Sequence, residues 1–147
     1  MNKKTVLSIC SLNSVRSRIA EGLLNARCHH RYRAFSAGIA PAGLSPYAVA
    51  VMREAGTDIS SHKPKRLTNF TRTRFDYVIS QCDPVELASA GSVTEGVTLI
   101  HRGFVSPSEV QKNKAELLAD FRKLRDDINA WLCEIFPDCP KKTVRVT

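Results

Sequence analysis

The chain predicts an α/β fold: a single domain built on a four-stranded parallel sheet with helices on both faces. Three observations carry the prediction. Short apolar runs alternate with segments of helical spacing, the pattern of repeated strand–helix–strand units. The last of these segments is a long amphipathic helix that needs a sheet to pack on. With 147 residues, 43% of them hydrophobic, there is enough chain for one proper core.

Taken in order, Thr5-Val6-Leu7-Ser8-Ile9 is an apolar run leading to Cys10 and reads as a buried first strand. A helix over residues 16–28 follows, with Ile19, Leu23 and Leu24 on one face. Tyr32, Ala34, Phe35 and Ala37 mark a second strand that ends in Gly38. Ser45 and Pro46 supply an N-cap and a first-turn proline for a helix from Tyr47 to Ala55, and Gly56 stops it. Thr57 to Asn69 is a polar, basic loop with a short helical turn. Phe75 to Ser80 is the third strand, Asp83 to Ala90 a short helix, and Val97 to Ile100 the fourth strand. Arg102 to Lys112 is a loop. Leu117, Phe121, Leu124, Ile128, Trp131, Leu132 and Ile135 then repeat at intervals of three and four, a helix from about Lys114 to Phe136. The domain is assigned to residues 1–140, and residues 141–147 form a basic C-terminal tail.

One stretch organises the chain. Cys10 closes the first strand, Arg16 opens the first helix, and Ser11, Leu12, Asn13, Ser14 and Val15 lie between them, with Ser17 following. A short loop at a helix N-terminus aims several backbone N–H groups at one point, and the helix dipole adds partial positive charge. Arg16 contributes a planar fork of donors matched to a tetrahedral oxyanion. The same surroundings favour thiolate over thiol, and Ser17 is placed to donate to the sulfur. A thiolate beneath a bound oxyanion is a nucleophile. An ordinary core cysteine also satisfies the end of a first strand.

The stretch VLSICSLNSVRSRIAEGLL resembles the phosphate loop of the low-molecular-weight protein tyrosine phosphatase superfamily, which includes the thioredoxin-coupled arsenate reductases. The pattern C-x-G-N-x-C-R-S followed by A-E is kept at Cys10, Asn13, Arg16, Ser17, Ala20 and Glu21. It departs at Val15, where a cysteine or small residue is usual, and at Leu12, where glycine is usual. Glycine serves loop positions of positive φ or close ligand approach, so Leu12 bears directly on the loop geometry. The resemblance continues through FSAGIAPAGLSPYAVAVMREAGTDIS, FDYVISQCD, LIHRGFVSPSEV and FRKLRDDI, and favours the arsenate reductase branch.

That resemblance implies roles. In the reductase branch a first cysteine attacks arsenate, a second after strand three releases arsenite, and a third passes the disulfide to thioredoxin. Cys10 and Cys82 match the first two, and Ser89 stands in the third place. Glutaredoxin or a small thiol replaces the missing step by forming a mixed disulfide. Cys82 equally fits a buried strand-end cysteine. The family's general acid is an Asp before Pro, and Ser106-Pro107 aligns with it here. Loss of acid catalysis costs about 10²–10⁴-fold, which argues against an efficient phosphatase. Asp83-Pro84 is a substitute acid or a plain turn. Arsenate reductases that bind a monovalent cation near the loop use Asn, Glu, Ser and Asp. Asn13, Glu21 and Ser36 match three of these, and Lys65 occupies the fourth. Its ammonium pairs with Glu21 in place of the ion, predicting no potassium requirement, or is a plain surface lysine.

The bulk numbers exclude other classes. No apolar run approaches the ~20 residues of a membrane helix, and the run after Lys3 and Lys4 is too short for a signal peptide, which predicts a cytoplasmic protein without a membrane partner. Cys10, Cys28, Cys82, Cys133 and Cys139 show no tight metal spacing, so no metal site is expected and the five read as free thiols. A net charge of +8, with basic clusters at residues 27–33 and 63–74, suits phosphate, arsenate or a phosphoprotein. Aromatic residues are not interleaved with those charges, which disfavours nucleic acid. His29 and His30 read as surface, and His62 and His101 as structural loop residues near the site. The primary expectation is an arsenate reductase-like enzyme using Cys10 and Cys82. The alternatives are a phosphatase acting through a phosphocysteine and a catalytically weak oxyanion- or phosphoprotein-binding module. Oligomeric state is not encoded in any motif.

Overall fold

In the computed structural model the described residues are 3–61, 63–70, 73–82 and 96–139. The elements are β1 (Lys4–Cys10), α1 (Arg16–Arg27), β2 (Tyr32–Gly38), α2 (Pro46–Glu54), a 3-10 turn (Leu67–Phe70), β3 (Phe75–Ser80), β4 (Gly96–His101) and α3 (Lys114–Ile135). The short helix expected over 83–90, Ser89, His62 and the tail 141–147 lie outside the described residues.

The strands form one parallel sheet in the order β2-β1-β3-β4. Strand alternation divides the core in two. Val6, Ala34 and Ile79 face one cluster, which holds the buried apolar residues of α1, α2 and α3. Leu7, Ile9, Ala37 and Val78 face a second cluster containing Leu67, Phe75, Cys10 and Cys82, with Phe35 and Phe70 packed on it. The apolar repeat of α3 is buried as its spacing predicts, from Leu117 through Leu132. Gly22 lets α1 approach the segment after α2. A Cβ there would stand 2.9 Å from both Ile59 and Met52 side chains.

Helix ends follow their signals. Ser45 Oγ accepts from the Ala48 N–H, with Pro46 in the first turn. Gly56 has φ 84° and ends α2 in a Schellman arrangement, its N–H bonding Arg53 O while the Thr57 N–H bonds Met52 O. Asn113 caps α3 by accepting from the Glu116 N–H at 2.9 Å, while its amide donates to the Glu116 carboxylate at 2.7 Å.

One expectation is overturned. The five cysteines are not all free: Cys28 and Cys139 form a disulfide with Cα atoms 5.3 Å apart. Cys10, Cys82 and Cys133 are the free thiols. Cysteine count and spacing carry no information about a pair 111 residues apart, which meets only because α1 and the turn after α3 end side by side. Tyr32 Oη, 3.3 Å from Asp138, and Arg31, 3.9 Å from it, fasten the same turn.

Candidate active site

The parallel sheet puts the carboxyl ends of its strands on one edge, where ligands bind in such folds. Residues 11–15 form the loop from β1 to α1. Its carbonyls are turned outward: Cys10 O accepts from Ile39 N, Ser11 O from Ala40 N, Leu12 O from Ala42 N and Ser14 O from Ser45 N, at 2.8–3.3 Å. In a trans peptide the following N–H points opposite to the carbonyl. The amides of Ser11, Leu12, Asn13 and Val15 are therefore directed to the inside of the loop. Val15, the N-cap of α1, makes no side-chain cap, and the first turn carries no acidic residue. The positive end of the helix thus faces the same interior.

Asn13 locks the loop. It is fully buried and has φ 52°, the left-handed region that Asn tolerates better than most residues. Its amide donates to Ser17 Oγ at 2.8 Å, and its Oδ1 accepts from the Lys65 N–H at 2.9 Å. Ser17 Oγ lies 2.9 Å from Cys10 Sγ, and the Ser17 N–H points at the same sulfur from 3.4 Å. Accepting from Asn13 leaves the Ser17 hydroxyl with a proton to offer the sulfur and a second lone pair to accept from the thiol, so either atom of the pair can donate. Leu12, by contrast, has no positive φ and is 46% exposed. The missing glycine therefore costs the loop no backbone strain. The close approach belongs to Gly38, where a Cβ would sit 2.8 Å from Asn13 N.

Arg16 is held by two segments. Nη1 donates to Phe104 O at 2.8 Å and Gln81 O at 3.3 Å, and Nη2 donates to Ser11 Oγ at 3.2 Å. Phe104 is itself fixed against Trp131, ring centroids 5.5 Å apart. Packing of α3 thereby sets the carbonyl that aims the guanidinium.

Cys82 follows β3, and Cys10 ends β1. The Gln81 N–H bonds Ile9 O at 2.9 Å, which brings the two cysteines to neighbouring strand ends. Both are buried, at 1% and 0% exposure, in the same apolar cluster. Cys82 Sγ lies 3.2 Å from Ser80 Oγ. Ser106 lines a cavity of about 440 Å³ between the 104–108 loop and α3, with Asp120 and Asp127 across from it. Those carboxylates pair with Lys112 and with Lys123, the latter at 2.7 Å. Asp83 lies outside the described residues.

Lys65 meets Glu21: Nζ is 3.5 Å from Oε2, while Ser36 Oγ donates to Oε1 at 2.9 Å. An ammonium at that corner does not suit a further cation. Among the described residues no group of three or more His, Cys, Asp or Glu is arranged to hold a metal. No helix among them is long and apolar enough to cross a membrane. His101, His29 and His30 are exposed.

Sequence reasoning missed Gly38 as the wall behind the loop, the carbonyls of Gln81 and Phe104, and Arg18, which is completely buried. Burial pushes the Arg18 guanidinium below its ordinary pKa, and the charges of Glu21 and Cys10 oppose that shift. Arginine on a helix ordinarily reads as solvent-facing, so nothing local marks it.

Known proteins match this architecture. Arsenate reductase 1 of Staphylococcus epidermidis is 33% identical over 130 residues, 88% of this chain and 93% of that protein. The arsenate reductase of Bacillus licheniformis is 36% identical over 129 residues, covering 87% and 91%. A solved arsenate reductase in its oxidized state superposes with TM-score 0.76 at 26% identity, over 92% of this chain and 98% of that one. A low molecular weight protein tyrosine phosphatase from T. tengcongensis has TM-score 0.69 at 22% identity over 92% and 99%, a likeness of fold. The sequence also matches the low molecular weight phosphotyrosine protein phosphatase family over residues 5–136. With its loop, sheet order and relatives in agreement, the chain belongs to the low molecular weight phosphotyrosine protein phosphatase family.

Proposed function

We propose that this protein is an arsenate reductase with Cys10 as nucleophile and Cys82 as resolving thiol. The observation that carries the reading is the pairing of these two thiols at adjacent strand ends inside one buried cluster, with Cys10 under the amide-lined loop. Arsenate is held by the inward amides and by Arg16. The Cys10 sulfur forms a bond to arsenic and a water leaves. The Cys82 thiolate then attacks the Cys10 sulfur. The sulfur–arsenic bond breaks with its electron pair on arsenic, so arsenic(V) leaves as arsenite and a Cys10–Cys82 disulfide remains. Two thiols are oxidised and one arsenic is reduced by two electrons. Resetting the enzyme takes an external thiol reductant: thioredoxin, glutaredoxin or a small thiol. Lys65 serves as the internal cation beside Glu21, so turnover needs no potassium.

The family match supports a second reading, hydrolysis of phosphomonoesters through a phosphocysteine. Ser106 weighs against it. A serine supplies no proton near neutral pH, and the carboxylates across the cavity are engaged with lysines. The resolving thiol attacks sulfur and needs no protonated alkoxide leaving group.

The test is to add arsenate to protein whose Cys10, Cys82 and Cys133 are reduced, without reductant, and to map disulfides by mass. A new Cys10–Cys82 bond, absent in Cys10→Ser, is expected beside Cys28–Cys139. Free Cys10 and Cys82 after arsenate would sink the reading. Aryl phosphate hydrolysis surviving in Cys82→Ser would favour the phosphatase. Phosphate binding without either turnover would leave a binding module.

A further inference from the structure

A guanidinium on the first turn of a helix normally reaches solvent, because taking a charge out of water is costly. Arg18 does not: it is 0% exposed, beneath the oxyanion loop. Its Nη1 donates to Asn13 Oδ1 at 3.4 Å. Asn13 holds the Ser17 hydroxyl, and Ser17 holds the Cys10 sulfur. The Arg18 charge also interacts with those of Glu21 and Cys10. Among the described residues, the charged and titratable groups on the elements around Cys10 include Arg16, Arg18 and Glu21 of α1, Lys65 of the segment beside β2, and Cys82 after β3. The Glu21 carboxylate serves both Arg18 and the Lys65 ammonium, the latter at 3.5 Å. A fixed positive charge in this low-dielectric layer acts on whatever anion sits at Cys10 more strongly than a surface charge does.

We propose that Arg18 is a positioning residue for the reaction, holding Asn13 and through it the Ser17 hydroxyl on Cys10, while its charge favours an anion at the loop. The inference rests on Cys10 being the nucleophile, and the test separates the two. Cys10 is alkylated with neutral iodoacetamide and with anionic iodoacetate, and the rate at each cysteine is read by peptide mass. Sulfur forms a bond to carbon and iodide leaves in both cases, so the ratio of the two rates reports local charge.

Arg18→Met lowers the iodoacetate-to-iodoacetamide ratio at Cys10 by about five- to tenfold. The ratio at Cys133, which lies beside Arg27, serves as the internal reference and stays put. Arg18→Lys keeps the Cys10 ratio within about twofold, since the charge remains. It slows arsenate-driven Cys10–Cys82 disulfide formation about tenfold, because the shorter, non-planar ammonium loses the Nη1 bond to Asn13. A purely structural arginine would change both reagents equally. An unchanged ratio in Arg18→Met, or in Arg18→Gln should the methionine variant not fold, overturns the proposal. So does a ratio that falls in Arg18→Lys, or a lysine variant with the wild-type arsenate rate. If wild-type Cys10 reacts with neither reagent, the nucleophile reading itself fails, and that is seen before any variant is made.

Discussion

Gly38→Ala isolates the geometry of the oxyanion loop. The new Cβ would lie 2.8 Å from Asn13 Cβ and N and 2.9 Å from the Leu12 carbonyl carbon, all atoms of the loop itself. Ordinary contact begins near 3.4 Å, so the loop must retreat by 3.4 − 2.8, about 0.6 Å. It is not free to do so. Leu12 O is tied to Ala42 N at 2.8 Å, and Asn13 Oδ1 to Lys65 N at 2.9 Å. Overpacking of this kind costs about 1–3 kcal/mol. For a domain of this size that lowers Tm by roughly 2–12 °C. Catalysis suffers more, because misplacing reacting groups by ~1 Å costs on the order of 100-fold, so the slowing here is about 10- to 100-fold. The assay is single-turnover formation of the Cys10–Cys82 disulfide after arsenate addition, quenched in acid and measured by mass. Gly43→Ala is the control, since its Cβ meets nothing within 4 Å. A Gly38→Ala protein with wild-type Tm and a rate within about twofold of wild type would refute the reasoning.

Other expectations follow from single contacts. Ser17→Ala removes the hydroxyl that contacts Cys10 and slows disulfide formation by about tenfold; it also leaves the buried Asn13 amide without its acceptor, which costs about 1–3 kcal/mol and lowers Tm by roughly 2–12 °C, and an unchanged rate would mean the 2.9 Å contact is idle. Lys65→Ala leaves nearly buried Glu21 without its ammonium, so the arsenate reaction becomes stimulated several-fold by potassium while wild type is indifferent; a potassium response in wild type contradicts this. Reducing Cys28–Cys139, or replacing both residues by alanine, destabilises by up to about 4–5 kcal/mol through loop entropy. It leaves the arsenate step intact, because Cys28 stands at the opposite end of α1, about 18 Å along the helix from its start. An arsenate rate that tracks this disulfide would show the two ends to be coupled. Burial and the Asp138 carboxylate push the Tyr32 phenol up to about 12. The folded state then keeps a proton that the unfolded chain gives up near pH 10. Stability is fully present below that pH and falls toward pH 12, by up to ~1.4 kcal/mol per pH unit. Tyr32→Phe should remove that slope in alkaline urea titrations; an identical alkaline limb in both proteins would rule it out.

Fold class and the individual strands and helices are local information, present in the order of residues along the chain. Apolar runs at Thr5–Ile9 and Phe75–Ser80, and the three–four repeat from Leu117 to Ile135, are local signals written by periodicity, and the structure realises them. Cys10, Asn13, Arg16 and Ser17 were legible for the same reason: a cradle at a helix start is built from consecutive residues. Even the meeting of Lys65 with Glu21 was anticipated, though only through family resemblance.

Tertiary structure decided what depends on residues distant in the chain. Gly38 reads as a strand end until β2 is seen to pack its backbone behind Asn13. Leu12 reads as a threat to the loop until the positive φ proves to be Asn13's. The carbonyls that aim Arg16 are backbone atoms of Gln81 and Phe104, and backbone groups leave no mark in residue identity. Arg18 carries a surface residue's name and is buried all the same, and Cys28 finds Cys139 across 111 residues. Periodicity encodes which face of an element is apolar. It does not encode which atoms the packed elements then bring within 3 Å of one another, and this site is made of those contacts.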